Sequence, residues 1–591
     1  MLKQVLSLTP ELPKVLKGLY YTQLSSPKVR KSIGWAIEEN GRKNPQNTAL
    51  LHEDWRINYG DFNHWCNQIS HFFLDHGYRK GDEVGLLMSN RPEFFAILGG
   101  LSKIGVITAV FNTNQKGRVL EHSIGLTSIK GLICGSELKD SLDSVKGLED
   151  IKRQGQMFEM GETTASQHEP NSFERDLAKA DNNNPTLSSP VTIKDPAFYI
   201  FTSGTTGLPK ASIMTHGRWM KAYGGFGLCA LRLTKEDICY LCLPLYHNNA
   251  LTVTWSSVLA SGAAIAIAPK FSKRKFWKDV RRYEATSFAY IGEICRYLFQ
   301  DPPSALDRQH KVKKMIGNGL RPDIWEPFKE RFGIDHVAEF YASSEGNIGF
   351  TNVFNHDRTV GFSPAPFEVV AYDQQKQGPK LDKQGRFIPI KRGETGLLIT
   401  KITKKWPFEG YTEDQQTKAV VLKNELWPKE AFFNTGDLVK KLGFRHIGFV
   451  DRTGDTFRWK GENVSTAEVE SALHRFPGID GAAVYGVKLP NTDGQAGMAT
   501  IAGDLSDENL REFQRHLESS LPSYARPIFV RQKQTLSTTG TYKIQKGDLK
   551  SEGYNLDRVD DPIYYFEKST GSFKKLNPEA LQQIQSRRIQ F

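Results

Sequence analysis

Residues 199–212 read YIFTSGTTGLPKAS. Thr202, Ser203, Thr205 and Thr206 supply hydroxyls, Gly204 and Gly207 leave backbone N–H groups open, and Lys210 adds a positive charge. Such a loop can surround a chain of phosphates, and a plain surface turn needs far fewer donors. The spacing departs from G-x-x-x-x-G-K-[S/T], because the glycines are three apart and the lysine follows Pro209. Pro209 biases Leu208 toward extended backbone and ASIMTH has strand texture, so the loop is expected to join two strands. Unpinned by a helix, it could close over a nucleotide and reopen.

Other chemically capable residues are scattered downstream: Tyr246 and His247 in PLYHNN, Glu345 in YASSEG, Asp437 in NTGD, Arg452 in DRTGD, and Lys543 and Lys546 in TGTYKIQK. Taken singly, each has an ordinary reading as a core residue or a surface ion pair. Cys239 and Cys242 form a C-x-x-C, but in an apolar run with no second pair, which favours a buried strand over a metal or redox site.

The elements that must hold these residues alternate. DEVGLLMSN, RPEFFAILGGLSKIG and VITAVFN read as strand, helix, strand, and AAIAIAP, KRKFWKDVRRYEA and TSFAYIG repeat the theme. This order implies an α/β fold with parallel sheets. In KFSKRKFWKDVRRY, Phe276, Val280 and Tyr283 lie at helical spacing beneath Lys273, Arg274, Lys278 and Arg281, an amphipathic helix on the α/β domain. Polar stretches at about 154–195 and 373–394 are expected to be long loops or seams. After GFVDRTGDTFRWKGENV the texture turns to short strands and helices. A large domain is therefore expected over residues 1–451 and a small α+β domain over 452–591.

A chain of 591 residues exceeds one core, and 39 % hydrophobic and 24 % charged residues fit a folded enzyme. The net charge of +12 suits nucleic acid, an anionic membrane or anionic small molecules. Nucleic acid ranks last, since no zinc-finger spacing, RNP-like strand or long Arg-rich arm occurs. Six cysteines and an N-terminus without a continuous apolar core point to a cytoplasmic protein. Residues 1–31 hold six basic residues and one acid, which would also suit peripheral contact with the inner face of a membrane. Residues 241–269 carry no Asp, Glu, Lys or Arg, yet Pro244, His247, Asn248 and Asn249 break the run, so a buried helix and strand is expected.

The motifs together resemble the adenylate-forming superfamily of acyl-CoA synthetases, luciferases and adenylation domains. YIFTSGTTGLPKAS is similar to its signature loop, YASSEG to its aromatic-G-x-T-E element, NTGD to its T-G-D, DRTGDTFRWKGENVSTAEVE to its hinge region and TTGTYKIQK to its lysine loop. YIGEICRYLF, GNGLRPDIW and HVAEFYASSEGN further resemble the fatty-acid transport protein and very-long-chain acyl-CoA synthetase branch. The resemblance implies a large domain of parallel-rich sheets with a distorted barrel subdomain, and a small C-terminal domain that rotates between half-reactions. ATP, Mg²⁺ and CoA would be co-substrates.

Roles carried over by resemblance place Glu345 on Mg²⁺, Ser344 on the α-phosphate and Tyr341 on adenine, although Ala342 and Ser344 stand where the family has Gly and Thr. Thr202 to Gly207, Lys210, Asn318 and Gly319 would complete the nucleotide site, with Asp437 and Arg452 on ribose and phosphate. Lys543 would orient carboxylate and α-phosphate, with Lys546 as the competing candidate. Tyr246, His247 and Gly461 would line the acyl and CoA channel. The hinge falls at Gly454 or Asp455.

These readings converge on a long- or very-long-chain fatty acid:CoA ligase. The alternatives are a ligase for a carnitine-like, bile or aromatic acid, and a fatty-acid uptake protein coupled to ligation.

Overall fold

The structure is a computed structural model describing residues 9–143, 145–161, 169–203, 208–343, 346–373, 376, 378–423, 430–460, 462–490, 492, 494–506, 509–540, 542–589 and 591. The chain forms two compact units. One takes residues 1–367, 399–435 and 443–447, and the other 368–398, 436–442 and 448–591. The second unit thus contains the expected boundary at 451/452 and also gathers two earlier stretches of chain.

In the first unit, helix α1 (Leu12–Thr22) precedes a hairpin of β1 (Thr48–His52) and β2 (Trp55–Asn58). Strand β3 (Glu83–Leu87), helix α2 (Pro92–Ile104) and strand β4 (Ile107–Val110) then form the expected βαβ unit, with β3 and β4 parallel. Proline in its first turn starts α2, left-handed Gly105 stops it, and it is buried throughout. With β5 (Ile129–Gly135), β6 (Met157–Met160), β7 (Pro196–Ser203) and β8 (Pro209–Thr215) these strands make a sheet ordered β6-β5-β3-β4-β7-β8.

Part of the segment expected to be loop is ordered. Within residues 154–195, β6 pairs in parallel with β5, and helix α3 (Ser172–Lys179) is started by a reciprocal cap between Asn171 and Glu174. Phe158 and Phe173 pack on Phe72, with ring centroids 5.6 and 5.1 Å away. A few well-placed aromatic residues suffice to bury a segment whose average composition is polar.

The second sheet follows helix α4 (His216–Ala222), which continues in π geometry through Tyr223–Leu231. From one edge its strands run β2-β1-β10-β9-β11-β12-β13, with β9 (Ile238–Leu241), β10 (Ala264–Ile267), β11 (Ser287–Ile291), β12 (Lys314–Asn318) and β13 (His336–Ala342), and the sheet continues past β13 with the antiparallel strand Gly349–Thr351. The charge-free run lies inside this layer: Asn249–Ser261 is helical, Trp255 packs 4.9 Å from Phe95, and β10 follows. No helix among the described residues is long and apolar enough to cross a membrane. Helix α5 (Lys273–Arg282) buries Phe276 and Val280, while Lys273 and Arg282 pair with Asp301 and Asp54, each at 2.6 Å. All six cysteines are unpaired and buried, Cys239 within β9.

The second unit carries a sheet of five strands adjacent in chain order: β14 (Ile479–Val487), β15 (Ala496–Gly503), β16 (Phe529–Lys533), β17 (Ile563–Glu567) and β18 (Ser572–Lys575). Only β15 and β16 run parallel. Helix α6 (Thr466–His474) buries Val469, Ala472 and Leu473, and helix Leu510–Ser520 buries Phe513 and Leu517. This is an α+β arrangement around its own core.

Candidate functional site

Strands β9, β11, β12 and β13 are parallel neighbours, so their carboxyl ends open along one edge. Open α/β sheets bind ligands at such an edge. Asn318 and Gly319 sit at the end of β12 and are exposed, and Tyr341 sits near the end of β13. Tyr246 and His247 follow β9. Topology therefore brings these sequence candidates to one edge.

The turn at Gly319 is fixed by backbone crowding. Its φ is +83°, and a Cβ on Gly292 would lie 1.7 Å from the Gly319 carbonyl oxygen. The approach requires glycine at 292, and the positive φ favours glycine at 319. Asn249 Nδ2 donates to Asn318 Oδ1 at 3.0 Å. Tyr341 lies edge-on to Phe350, 5.9 Å between centroids, on the antiparallel strand Gly349–Thr351.

Glu339, two residues before Tyr341, holds this edge from below and was not among the sequence candidates. It is buried, and its Oε1 accepts from the Gly319 N–H at 2.5 Å and the Leu320 N–H at 3.3 Å, while Tyr290 Oη bonds its Oε2. One carboxyl thus ties β11, β12 and β13 together behind the exposed turn. Burial pushes it up to about 8, against the hydrogen bonds from Tyr290, Gly319 and Leu320, so it is largely neutral at pH 7. The signal was present in the sequence as a carboxylate amid the apolar run HVAEFYA.

Asn90 braces the turn leading to Tyr246: it accepts from Leu245 N at 2.8 Å and donates to the carbonyls of Leu243 and Ala268 at 2.8 and 3.2 Å. Asn114 Nδ2 donates to Tyr246 Oη at 2.9 Å. His247 lies 4.6 Å from the Tyr246 ring, and burial lowers it to about 4, which keeps it neutral. Its Nε2 has no partner among the described residues.

The donor-rich segment does join two strands, β7 and β8, with Thr202 opposite Lys210 and Ser203 opposite Pro209. Lys210 Nζ stands 5.2 Å from the centre of the Tyr411 ring. Thr215 caps α4, from which Arg218 donates to Ile213 O at 2.7 Å and Gly346 O at 2.8 Å. Arg218 therefore links β8 to the loop following β13. Further along α4, Lys221 lies over the Trp406 ring at 4.3 Å, and burial and the Arg218 charge lower it to about 8. Gly204, Thr205, Thr206, Gly207, Ser344, Glu345, Gly461 and the Ser203 side chain lie outside the described residues.

In the second unit, Asp437 is buried and Arg452 Nε stands 3.7 Å from its Oδ1. Lys543 leaves a tight turn in which Tyr542 has φ +57°, Lys543 N donates to Thr539 Oγ1 at 3.1 Å and Thr539 N donates to Lys543 O at 2.8 Å. Desolvation and the Arg452 charge lower the Lys543 ammonium, Asp455 opposes this, and Lys546 adds to the lowering. Lys546 is otherwise engaged: its Nζ meets Glu470 Oε1 at 2.7 Å and Thr466 Oγ1 at 3.2 Å. Desolvation alone would lower Lys546, but Glu470 and Asp455 carry it above the usual lysine value. Asp451 starts α6 by accepting from Thr466 N at 2.7 Å. At the expected hinge, Lys550 Nζ donates to Gly454 O at 3.0 Å and meets Asp455 Oδ1 at 3.4 Å. The described residues include no group of three or more His, Cys, Asp or Glu able to hold a metal.

The architecture is that of known enzymes. ATP-bound MatB from Rhodopseudomonas palustris superposes with a TM-score of 0.74 at 20 % identity, covering 89 % of this chain and 99 % of that one, a likeness of fold. In sequence, the chain is 41 % identical to the medium/long-chain-fatty-acid–CoA ligase FadD6 of Mycobacterium tuberculosis, over 94 % of this chain and 91 % of that protein. It is 38 % identical to long-chain fatty acid transport protein 2 of Rattus norvegicus, over 90 % of this chain and 87 % of that protein. Residues 37–395 match the AMP-binding enzyme family and residues 468–543 match the C-terminal domain of AMP-binding enzymes. The edge that presents Asn318, Gly319 and Tyr341, and the loop that presents Lys543, are thus parts of a chain that belongs to the AMP-binding enzymes, the adenylate-forming family.

Proposed function

We propose that the protein is an AMP-forming ligase that joins a medium- to very-long-chain fatty acid to CoA. A carboxylate oxygen attacks the α-phosphorus of ATP as the bond to pyrophosphate breaks, and the CoA thiolate then attacks the acyl carbon as AMP leaves. The single observation that carries the assignment of roles is the division of labour between two lysines. Lys546 is held by Glu470, whereas the Lys543 ammonium meets only the fields of its neighbours among the described residues. Lys543 supplies the charge that draws carboxylate and α-phosphate together.

Asp437 has two acceptor oxygens suited to the ribose hydroxyls, and Arg452 a fork suited to ribose and phosphate. Asn318, Gly319 and Tyr341 receive the base, and Thr202 and Lys210 the phosphates. Bound Mg²⁺ screens the phosphate charge. Glu345, the side chain expected to meet it, lies outside the described residues. Tyr246 and His247 line the path of the acyl chain, with neutral His247 adding no charge.

The choice of acid is supported by the mycobacterial relative, a medium/long-chain-fatty-acid–CoA ligase, and the name of the rat relative brings a second reading, uptake coupled to the same ligation. Because long-chain acids reside in lipid, the enzyme is proposed to meet its substrate by peripheral contact with a membrane. The test is pyrophosphate release from MgATP across short to very long acids, plus carnitine and aromatic acids, with and without CoA. CoA-dependent turnover peaking at a medium or longer chain is expected. A peak at an aromatic or carnitine-like acid would replace the substrate, and no release from folded protein would sink the ligase.

A further inference from the structure

We infer that the outward face of α1 is a docking surface for an anionic lipid bilayer. The inference deepens the membrane contact proposed above and rests on it. Leu12, Leu16, Leu19 and Tyr20 fall at i, i+4, i+7 and i+8, one stripe of the helix, and are 48, 57, 38 and 56 % exposed. They are four of the ten large apolar side chains exposed among the described residues, and they lie within nine positions. A helix resting on a water-exposed surface normally turns polar residues to that side. This one turns leucine outward.

The opposite face is firmly seated, so the stripe cannot roll inward. A Cβ on Gly18 would come within 2.7 Å of Gly224 O and 2.5 Å of Cys229 Sγ. Tyr21 meets Tyr223 edge-on at 4.9 Å. Helix α1 therefore packs backbone to backbone on the π-type helix and leaves its leucines outside.

Charge identifies the occupant. Between residues 9 and 32 the chain carries Lys14, Lys17, Lys28, Arg30 and Lys31, with Glu11 as the sole acid. Glu11 is taken by Lys14 at 3.3 Å. Lys31 lies 3.5 Å from the Trp35 ring centre and 5.8 Å from that of Tyr21, the anchor of α1. Glu39, on the helix Ile33–Lys43, is the acid whose field reaches Lys31, and it is itself engaged by Arg42 and Lys43 at 3.0 and 2.5 Å. Lys17 follows Tyr20 around the helix at the border of the stripe, Lys14 falls with Tyr21 on the seated side, and Lys28 and Arg30 are exposed in the segment that follows. A leucine stripe bordered by a tyrosine and a lysine, with further exposed basic residues close by, is the chemistry of a helix lying in a lipid interface. A second copy fits less well, because two such faces would oppose lysine to lysine.

The test is flotation of the full chain with phosphatidylcholine vesicles containing a quarter phosphatidylglycerol, and with pure phosphatidylcholine vesicles. The comparison is with Leu16→Glu/Leu19→Glu, and ligation of a short, soluble acid is measured in detergent-free buffer alongside. The wild type should float with anionic vesicles and about tenfold less with neutral ones. The variant should lose at least tenfold in vesicle binding while keeping its melting temperature and its rate on the soluble acid. Undiminished binding by the variant would overturn this surface and leave membrane contact standing. No binding by the wild type would overturn both, while the acid panel still judges the ligase separately. A wild-type dimer that the variant converts to monomer would assign the face to a second copy and overturn the lipid proposal.

Discussion

At the carboxyl edge of the first unit, the groups proposed to meet a nucleotide are held by backbone crowding and by one buried carboxyl: Gly292 against Gly319, and Glu339 beneath the turn. In the second unit, Asp437, Arg452, Asp455, Lys543 and Lys546 act on one another through their fields. The edge is pinned by backbone contacts and has a largely neutral acid behind it, while the lysine loop gathers charges of both signs. Recognition of a fixed shape needs the first construction, and stabilising charge that appears only during reaction needs the second.

The comparison breaks most decisively at Lys543. Lys543→Ala should slow acyl-adenylate formation by about 10²- to 10³-fold, or about 3 to 4 kcal/mol, read by pyrophosphate exchange. Thioester formation from preformed acyl-adenylate should stay within a few-fold of wild type. Equal loss in both half-reactions would remove Lys543 from its role.

Lys546→Met tests whether the second lysine is structural. It leaves half-buried Glu470 without its partner, so denaturation should show a loss of about 2 kcal/mol, while exchange activity per folded molecule changes little. A stable but inactive variant would reverse the two assignments.

The edge is sharpened by Glu339. A neutral carboxyl is matched by an amide, which can accept from Gly319 and Leu320 and donate to Tyr290. Glu339→Gln should therefore keep its KM for ATP within about threefold, whereas Glu339→Ala should raise it about tenfold. The same substitution gives a pH test. The native carboxyl is raised to about 8 from the ordinary 4.5, so the folded state holds a proton that the unfolded state has released. The resulting stability is complete below pH 4.5 and lost as pH rises toward about 8. Melting temperatures between pH 5 and 8 should fall less in Glu339→Gln than in wild type, and parallel curves would show that Glu339 is ionised throughout.

The smallest effect concerns Asp455, which raises the Lys543 pKa against desolvation, Arg452 and Lys546. Asp455→Asn removes that support, so the alkaline fall in kcat/KM for adenylation should move to lower pH. A shift to higher pH would contradict the field described here.

Much of this was legible because its causes are local. Period and punctuation revealed β3, α2 and β4, and Pro209 revealed that the donor-rich loop joins strands. Strand β6 and helix α3 were missed because Phe158 and Phe173 find their partner Phe72 far away in sequence. The partners of Glu339 come from three strands and could not be read along the chain, though the buried acid itself was visible. The sequence favours Lys543 over Lys546 by its place after the Gly/Thr loop, but the Glu470 that engages Lys546 comes from a distant helix and could not be read along TGTYKIQK. The grouping of residues 368–398 and 436–442 with the C-terminal unit likewise depends on long-range packing.

The six buried cysteines have a practical consequence. Burial pushes Cys66, Cys134, Cys229 and Cys239 up to about 12 and raises Cys242 and Cys295 as well, so almost no thiolate exists near neutrality. Maleimide chemistry at pH 7 should leave the native thiols untouched. One surface cysteine introduced into each unit would then accept a pair of fluorophores without prior removal of the native six, and changes in their separation during turnover could be followed in an otherwise unaltered chain.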